Sequence, residues 1–369
     1  MRTKLEDRIK ALIDSAGPIS VAEYMALCLL DPVDGFYPTR DPLGSAGDFI
    51  TAPEISQMFG EVLGLFVLQS WIDLGKPDPF FLIEFGPGRG VMMGDMLRAA
   101  SLDQGFKKAV QVVLIEASAA LEAVQGQTLG HLGFPVQWVT RLETAPIGPS
   151  LVIGNEFLDC LPIRQFIQRD PFAGKDGWHE RHVGMDEDGR FRFEIGPEPV
   201  GATAKSFLPD AQKDARKDEL LESCPTAYQI IETLKTRFEA HPGRALFIDY
   251  GPETTEFGDT LQALKRHKKI GVFDLPGDSD LTARVDFQTL LEVGTSQGLL
   301  ASGPVTQREF LSKLGLEMRA VALARSQPDS KAVIARQLHR LTDDSEMGEL
   351  FKAVCLQSQG LVTPLGFRT

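Results

Sequence analysis

Apolar positions near the start of the chain recur at helical spacing. Leu5, Ile9, Leu12 and Ile13 fall on one face and end at Gly17-Pro18, so an amphipathic helix opens the chain. Ser20-Val21-Ala22-Glu23 has the spacing of a capping box, in which the Ser oxygen and the Glu carboxylate satisfy free N–H groups, and predicts a second helix to about Leu30. Asp31–Pro38 and Asp41–Asp48 follow. They are too rich in Gly and Pro for a core and too aromatic for a plain linker, and read as a lid or rim loop. A second capping box, Thr51-Ala52-Pro53-Glu54, is expected to start a helix running to about Leu74. Its apolar residues, from Ile55 to Trp71, surround the axis, which predicts burial on most sides.

From Phe80 the period changes. Phe80–Phe85, Val110–Ile115, Val136–Val139 and Ser150–Gly154 are short, nearly continuous apolar runs, and helical patterns from about Val91 and Ser118 separate the first three. Apolar strands alternating with helices predict an α/β fold, a doubly wound, mainly parallel sheet covered on both faces. The alternation then breaks. Gln165–Ile167, Glu180–Val183 and Arg190–Phe193 are short strand-like runs, with Asp188-Gly189 at a hairpin turn, and Pro225 opens a helix to about Ala240. This stretch reads as an inserted antiparallel β/helical subdomain, after which Ala245–Tyr250 resumes the sheet. Lys265–Lys269 reads as a solvated helix end, and Asp280–Phe287 leads into a helix near Leu290. The expected organisation is a helical cap and lid loop over 1–58, the first part of the core over 59–162, the insertion over 163–241 and the rest of the core over 242–369.

Composition narrows the setting. A chain of 369 residues with 43% hydrophobic content can bury a large core in one or two domains. The formal net charge of −13 argues against nucleic acid as the main partner, because phosphate neutralisation needs a basic surface. Cys28, Cys160, Cys224 and Cys355 are widely spaced, and neither they nor the histidines have metal spacing, so no metal and no disulfide framework is expected. Glu6, Asp7 and Asp14 interrupt the N-terminal stretch, and no run reaches membrane-spanning length, so no membrane insertion is expected and the chain reads as cytoplasmic. A homo-oligomer is left open.

The candidate chemistry sits at strand ends. Glu84-Phe85-Gly86-Pro87-Gly88-Arg89-Gly90 is a strand ending in a carboxylate and a glycine turn, which lets a ligand approach the backbone and aims free N–H groups of the next helix at it. Glu116 ends the second strand, where a carboxylate can accept hydrogen bonds from ribose hydroxyls. Asn155-Glu156, with Asp159 just beyond, ends another. A dinucleotide fingerprint needs G-x-G-x-x-G, whereas Val91 stands at the third required position and the spacing is G-x-G-x-G. That disfavours a dehydrogenase. An acidic residue just before the first glycine sits badly with a pyrophosphate and suits a cationic, amino-acid-bearing ligand such as S-adenosylmethionine.

The motif over Glu84–Gly90 resembles motif I of class I S-adenosylmethionine-dependent methyltransferases. Together with Gly47–Ser56, Gly154–Asp159, Asp249-Tyr250-Gly251 and Asp280–Phe287, it is similar to the MidA family, whose mitochondrial members are protein-arginine methyltransferases assisting assembly of respiratory complex I. The resemblance implies a class I methyltransferase (Rossmann-like) fold, S-adenosylmethionine as cofactor, and a protein substrate such as a complex I subunit. It implies cofactor contact for Glu84, Gly86, Gly88, Gly90 and Glu116. Asn155 and Glu156 are the leading catalytic candidates, with Asp159 or Asp249 as partner carboxylate. A guanidinium has a pKa of ~12 or more, and carboxylates can localise its charge and orient one nitrogen. The alternative is a methyltransferase-like assembly or binding factor without turnover.

Overall fold

The structure, a computed structural model, describes residues 4–39, 51–209 and 215–368. The predicted rim segment Asp41–Asp48 and the start of the Gly47–Ser56 motif lie outside the described residues. The chain opens with α1 (Lys4–Ala16) and α2 (Val21–Leu30), and the Ser20–Glu23 capping box forms as its spacing predicts, with Ser20 N donating to Glu23 Oε2 at 2.8 Å and Glu23 N to Ser20 Oγ at 3.1 Å. The second predicted box does not form. Thr51 makes no side-chain cap bond and only a short helical turn, Ala52–Ile55, follows it. Ser56 is extended there, with φ −159° and ψ 132°, and caps the long helix α3 (Gln57–Asp73) through Met58 N. Thr51 is extended as well, but only the Ser56 hydroxyl makes a cap hydrogen bond, and the long helix starts there one turn later.

The central sheet has seven strands: β1 (Phe80–Phe85), β2 (Val110–Ile115), β3 (Val136–Val139), β4 (Ser150–Asn155), β5 (Gly243–Tyr250), β6 (Leu300–Thr306) and β7 (Phe351–Gln357). Their order is β6-β7-β5-β4-β1-β2-β3, with β7 antiparallel to its neighbours and the other pairs parallel. From β1 the chain runs outward to β3 and returns to β4 on the other side. The carboxyl ends of β1 and β4 therefore flank a topological switch point, where open sheets hold ligands.

Side chains alternate across each strand, and both faces are buried. Leu82, Val112, Leu114, Leu151, Ile153, Leu246 and Ile248 pack on α3 and on α4 (Val91–Ala100). Further round the sheet lies α5 (Ala119–Gly130). Ile83, Val113, Val152, Ala245 and Phe247 pack on α6 (Pro225–Ala240) and α7 (Phe287–Ser296). The sequence reading assigned α6 to the insertion; its buried Ala227, Ile231, Leu234 and Phe238 place it against the main sheet instead.

Antiparallel strands do form within the stretch read as an insertion. Arg164–Gln168, Trp178–Met185, Phe191–Ile195 and Leu220–Ser223 join Ile19–Ser20 in a second sheet, and Gly189 turns the predicted hairpin at φ +70°. A third, small sheet contains Gln262–Lys265, Lys268–Ile270 and Asp280–Thr282. The basic run expected to end a helix is therefore a hairpin tip. Arg266 and His267 adopt φ +49° and +61° there, a turn usually marked by Asn or Gly, so no local signal announced it. Leu5, Ile9 and Tyr24 pack with Val183, Ala263 and Leu281, which joins α1 and α2 to both extra sheets beyond the strand ends. No described helix is long and apolar enough to cross a membrane.

Candidate functional site

A cavity of about 750 Å³ opens over the carboxyl ends of β1, β2 and β4. At one end is the glycine turn. Gly86, Gly88 and Gly90 all have positive φ, at +56°, +54° and +77°, and Gly90 is the N-terminal residue from which α4 starts. Glycine is favoured there because a side chain in the left-handed region costs energy at each position. A Cβ on Gly86 would meet the Phe157 ring at 3.4 Å, an ordinary contact, and Phe157 stacks on Phe85 with centroids 4.6 Å apart, so the turn lies against the β4 loop.

Two carboxylates face this end. Glu84 is buried, its Oε2 has no hydrogen-bond partner, and burial pushes its pKa up to about 8. Glu116 is also raised by burial, although hydrogen bonds oppose the shift. Its Oε1 accepts from Ala117 N at 2.9 Å and Ser118 N at 2.8 Å, and its Oε2 accepts from the Gln125 amide at 2.9 Å. A carboxylate has about four acceptor directions, so Glu116 keeps about one for a ligand, on Oε2.

The other end is more acidic. Glu156 follows β4 with φ +50°, a conformation costing of order ~1–3 kcal/mol for a residue with a side chain. Its Oε1 accepts from Ala52 N at 2.7 Å and from Asn155 Nδ2 at 3.1 Å, while Asn155 Oδ1 is buried without a partner. Burial pushes the Glu156 pKa to about 7, with nearby Asp249 adding to the rise. Asp159 is raised well above the usual range by burial and then by the Asp249, Asp280 and Glu156 carboxylates. Opposite them, Tyr37 donates to Asp280 Oδ1 at 2.9 Å, and Tyr250 donates to Thr282 Oγ1 at 2.8 Å. Gln262 Nε2 donates to the Tyr250 oxygen at 3.0 Å.

Of the residues singled out in the sequence, Glu84, Gly86, Gly88, Glu116, Asn155, Glu156 and Asp159 line one cavity. Asp249 does not. It lies behind the β4 loop, where its Oδ2 accepts from the backbone N–H groups of Phe157, Leu158 and Asp159 at 3.0, 2.8 and 3.2 Å. Gly90 sits just outside the lining, at the helix start. Sequence reasoning missed Gln262 and Gln125, single polar residues in unremarkable stretches. Tyr37 lies in Asp31–Pro38, the stretch read as a lid or rim loop, and Asp280 and Thr282 lie in the motif Asp280–Phe287, though none of the three was singled out. Among the described residues no group of His, Cys, Asp and Glu is arranged to hold a metal ion.

The site fits a molecule with a cationic amino-acid end and a nucleoside end. The glycine turn lines the cavity through Gly86 and Gly88, the unpartnered Glu84 Oε2 awaits a donor, and Glu116 keeps an acceptor direction free. Between them Ile115, Leu121, Leu142 and Ile230 supply apolar wall.

Comparison with known proteins agrees with this geometry. Residues 62–305 match a family described as S-adenosyl-L-methionine-dependent methyltransferase. The chain is 37% identical over 364 residues to protein arginine methyltransferase NDUFAF7, mitochondrial, of Mus musculus, covering 92% of this chain and 81% of that one. It is 37% identical over 369 residues to the Homo sapiens protein of the same name, covering 93% and 81%. A crystal structure from Burkholderia thailandensis, bound to S-adenosyl-homocysteine, superposes with a TM-score of 0.84 at 29% identity, covering 98% of this chain and 93% of that one. These names also correct one expectation. The cytoplasmic reading is overturned by relatives named as mitochondrial in vertebrates and in Drosophila melanogaster; acidic residues among the first twenty positions were no guide to compartment.

Proposed function

This chain belongs to the family of S-adenosyl-L-methionine-dependent methyltransferases, and on that footing we propose that it methylates arginine in a protein partner, with Glu156 and Asp159 receiving the guanidinium. The enzyme uses S-adenosylmethionine, which when bound supplies a methyl group made electrophilic by its sulfonium. Gly86, Gly88 and Gly90 would cradle it, Glu84 would answer its cationic amino-acid end and Glu116 its ribose.

The observation that carries the substrate reading is the concentration of carboxylates at the far end of the cavity. Glu156, Asp159 and Asp280 all line it, and burial raises the first two. Such a cluster is costly when empty and is relieved by a delocalised cation, which lets the carboxylates ionise together. Bidentate pairing would fix the guanidinium plane and hold one nitrogen toward the methyl donor, an entropic advantage in a site with little freedom. Asn155 and Ala52 N hold Glu156 in place through its Oε1, leaving Oε2 for the substrate. Asp249 acts one step back, tethering the loop that carries Glu156 and Asp159. The relatives' names support arginine, and the family resemblance supports a respiratory complex I subunit as the client.

The test is transfer of radiolabelled methyl groups to lysate from a strain lacking the protein, followed by hydrolysis and identification of the labelled residue. Label on methylarginine in a complex I subunit is expected. Label on lysine or on a small molecule refutes the arginine assignment; methylarginine in an unrelated protein refutes only the client.

A further inference from the structure

Gln125 lies on α5, away from every motif, and is completely buried. Its side chain nonetheless joins the two halves of the cofactor end. Its Nε2 donates one hydrogen to Gly88 O at 2.8 Å and the other to Glu116 Oε2 at 2.9 Å, so both amide hydrogens are used. Its Oε1 accepts from Trp138 Nε1, on β3, at 2.8 Å.

This network has one sensible orientation. Turning the amide over would point its NH₂ at the Trp138 N–H, a donor facing a donor, and its oxygen at a carbonyl and a carboxylate, acceptors facing acceptors. Trp138 has no acceptor to offer, so it fixes which way the amide points. The consequence falls on the ligand side. Gly88 O is held inside the turn, and Glu116 is held with Oε1 spent on backbone N–H groups and one Oε2 direction open. The backbone of α5 also packs on the turn, since a Cβ on Gly90 would meet Gln125 Cα at 3.5 Å.

We propose that Gln125 is a positioning residue for the methyl donor: one amide, oriented by Trp138, sets the glycine turn and the Glu116 carboxylate in a single rigid cradle. This rests on the ribose role proposed above for Glu116. Without the amide, Glu116 could rotate away and Gly88 O would lose this donor, and a hydrogen bond to a charged group is among the stronger ones.

The test is calorimetric titration of S-adenosyl-homocysteine into the full chain, with the melting temperature of each unliganded variant recorded beside it. Gln125→Leu is expected to weaken binding by about 10- to 100-fold. Trp138→Phe, which removes the N–H that orients the amide together with part of the ring, should weaken it less. Gln125→Glu keeps the size and places a carboxylate against Glu116, and should weaken binding at least as much as Leu while the chain still melts cooperatively. A double-mutant cycle with Glu116→Gln separates the two ideas. If Gln125 works through Glu116, the double variant binds little worse than the worse single variant. Additive effects, or Gln125→Leu and Gln125→Glu both within two-fold of wild type while Glu116→Gln binds weakly, overturn the proposal for Gln125 alone. Wild-type affinity in Glu116→Gln overturns the ribose role and this inference with it.

Discussion

Asp249 offers the sharpest test of how this site is held together. Its Oδ2 takes three consecutive backbone donors, Phe157, Leu158 and Asp159 N–H, at 3.0, 2.8 and 3.2 Å, and its Oδ1 takes Tyr250 N at 2.9 Å. The carboxylate is almost wholly buried. Asp249→Ala strips all four donors of their partner. At ~1–3 kcal/mol for each unsatisfied buried group, offset by removal of a buried charge, the net loss is about 3–5 kcal/mol, a large part of a typical fold's stability. Asp249→Asn is gentler. Its carbonyl oxygen can still take the three loop donors, while its NH₂ meets Tyr250 N–H, a loss of about 1–2 kcal/mol that leaves the chain folded. The loop bearing Glu156 and Asp159 shifts by a fraction of an ångström in that variant, and misplacement of about 1 Å costs on the order of 10²-fold in rate. Methyl transfer to the proposed protein partner should therefore fall by a smaller factor, about 10-fold, with affinity for S-adenosyl-homocysteine within ~3-fold of wild type, because the proposed cofactor contacts lie on and just after β1 and β2. Full activity in Asp249→Asn would refute the tether, and so would a loss of S-adenosyl-homocysteine affinity as large as the loss of rate.

Other expectations follow from the same geometry. Glu156→Gln preserves size and should lower transfer by at least about 100-fold while leaving S-adenosyl-homocysteine binding near wild type, measured by rate and by titration; equal losses in both would place Glu156 at the cofactor instead. Gly88→Val puts a branched side chain at φ +54°, a strain of ~1–3 kcal/mol, and should abolish measurable binding in calorimetry while the rest of the fold melts cooperatively. Stability should fall as pH rises. Glu84 and Glu156, pushed to about 8 and about 7, stay protonated in the folded chain after the unfolded chain has lost those protons at about pH 4–5. The folded state thus binds more protons over that window, so the unliganded melting temperature should drop between about pH 5 and 8, and Glu84→Gln should flatten the upper part of the slope. A melting temperature that climbs through that window would contradict the burial argument.

Much of the fold was legible in the sequence because it is written in local pattern. The apolar runs at Phe80, Val110, Val136, Ser150 and Ala245 are strands because residues buried on both faces must be apolar at every position, and that needs no knowledge of neighbours. The glycine turn was legible for the same reason: Gly86, Gly88 and Gly90 solve a backbone problem that only glycine solves cheaply. Where two local solutions competed, the reading slipped. Thr51 and Ser56 both suit an N-cap; Ser56 caps the long helix, and in the short turn before it Ala52 N donates to Glu156. The Arg266-His267 turn carries no glycine and so looked like a helix end. Helix α6 has an apolar face that fits either an insertion or a main sheet, and the sequence has no term for which surface lies nearby.

By itself, then, the sequence determined the alternation of strands and helices, the cradle at the end of β1 and the acidic residues placed at strand ends, since each follows from the chain's own period and backbone freedom. Only the tertiary structure decided which of those acids meet. It brought Tyr37 from the N-terminal segment and Asp280 from the small third sheet to the cavity that holds Asp159, moved Asp249 behind the loop as its tether, and placed Gln125 between Gly88 and Glu116. Such partners stand from 9 to 243 positions apart, and hydrogen bonds act over about 3 Å, so only the packed chain can set them.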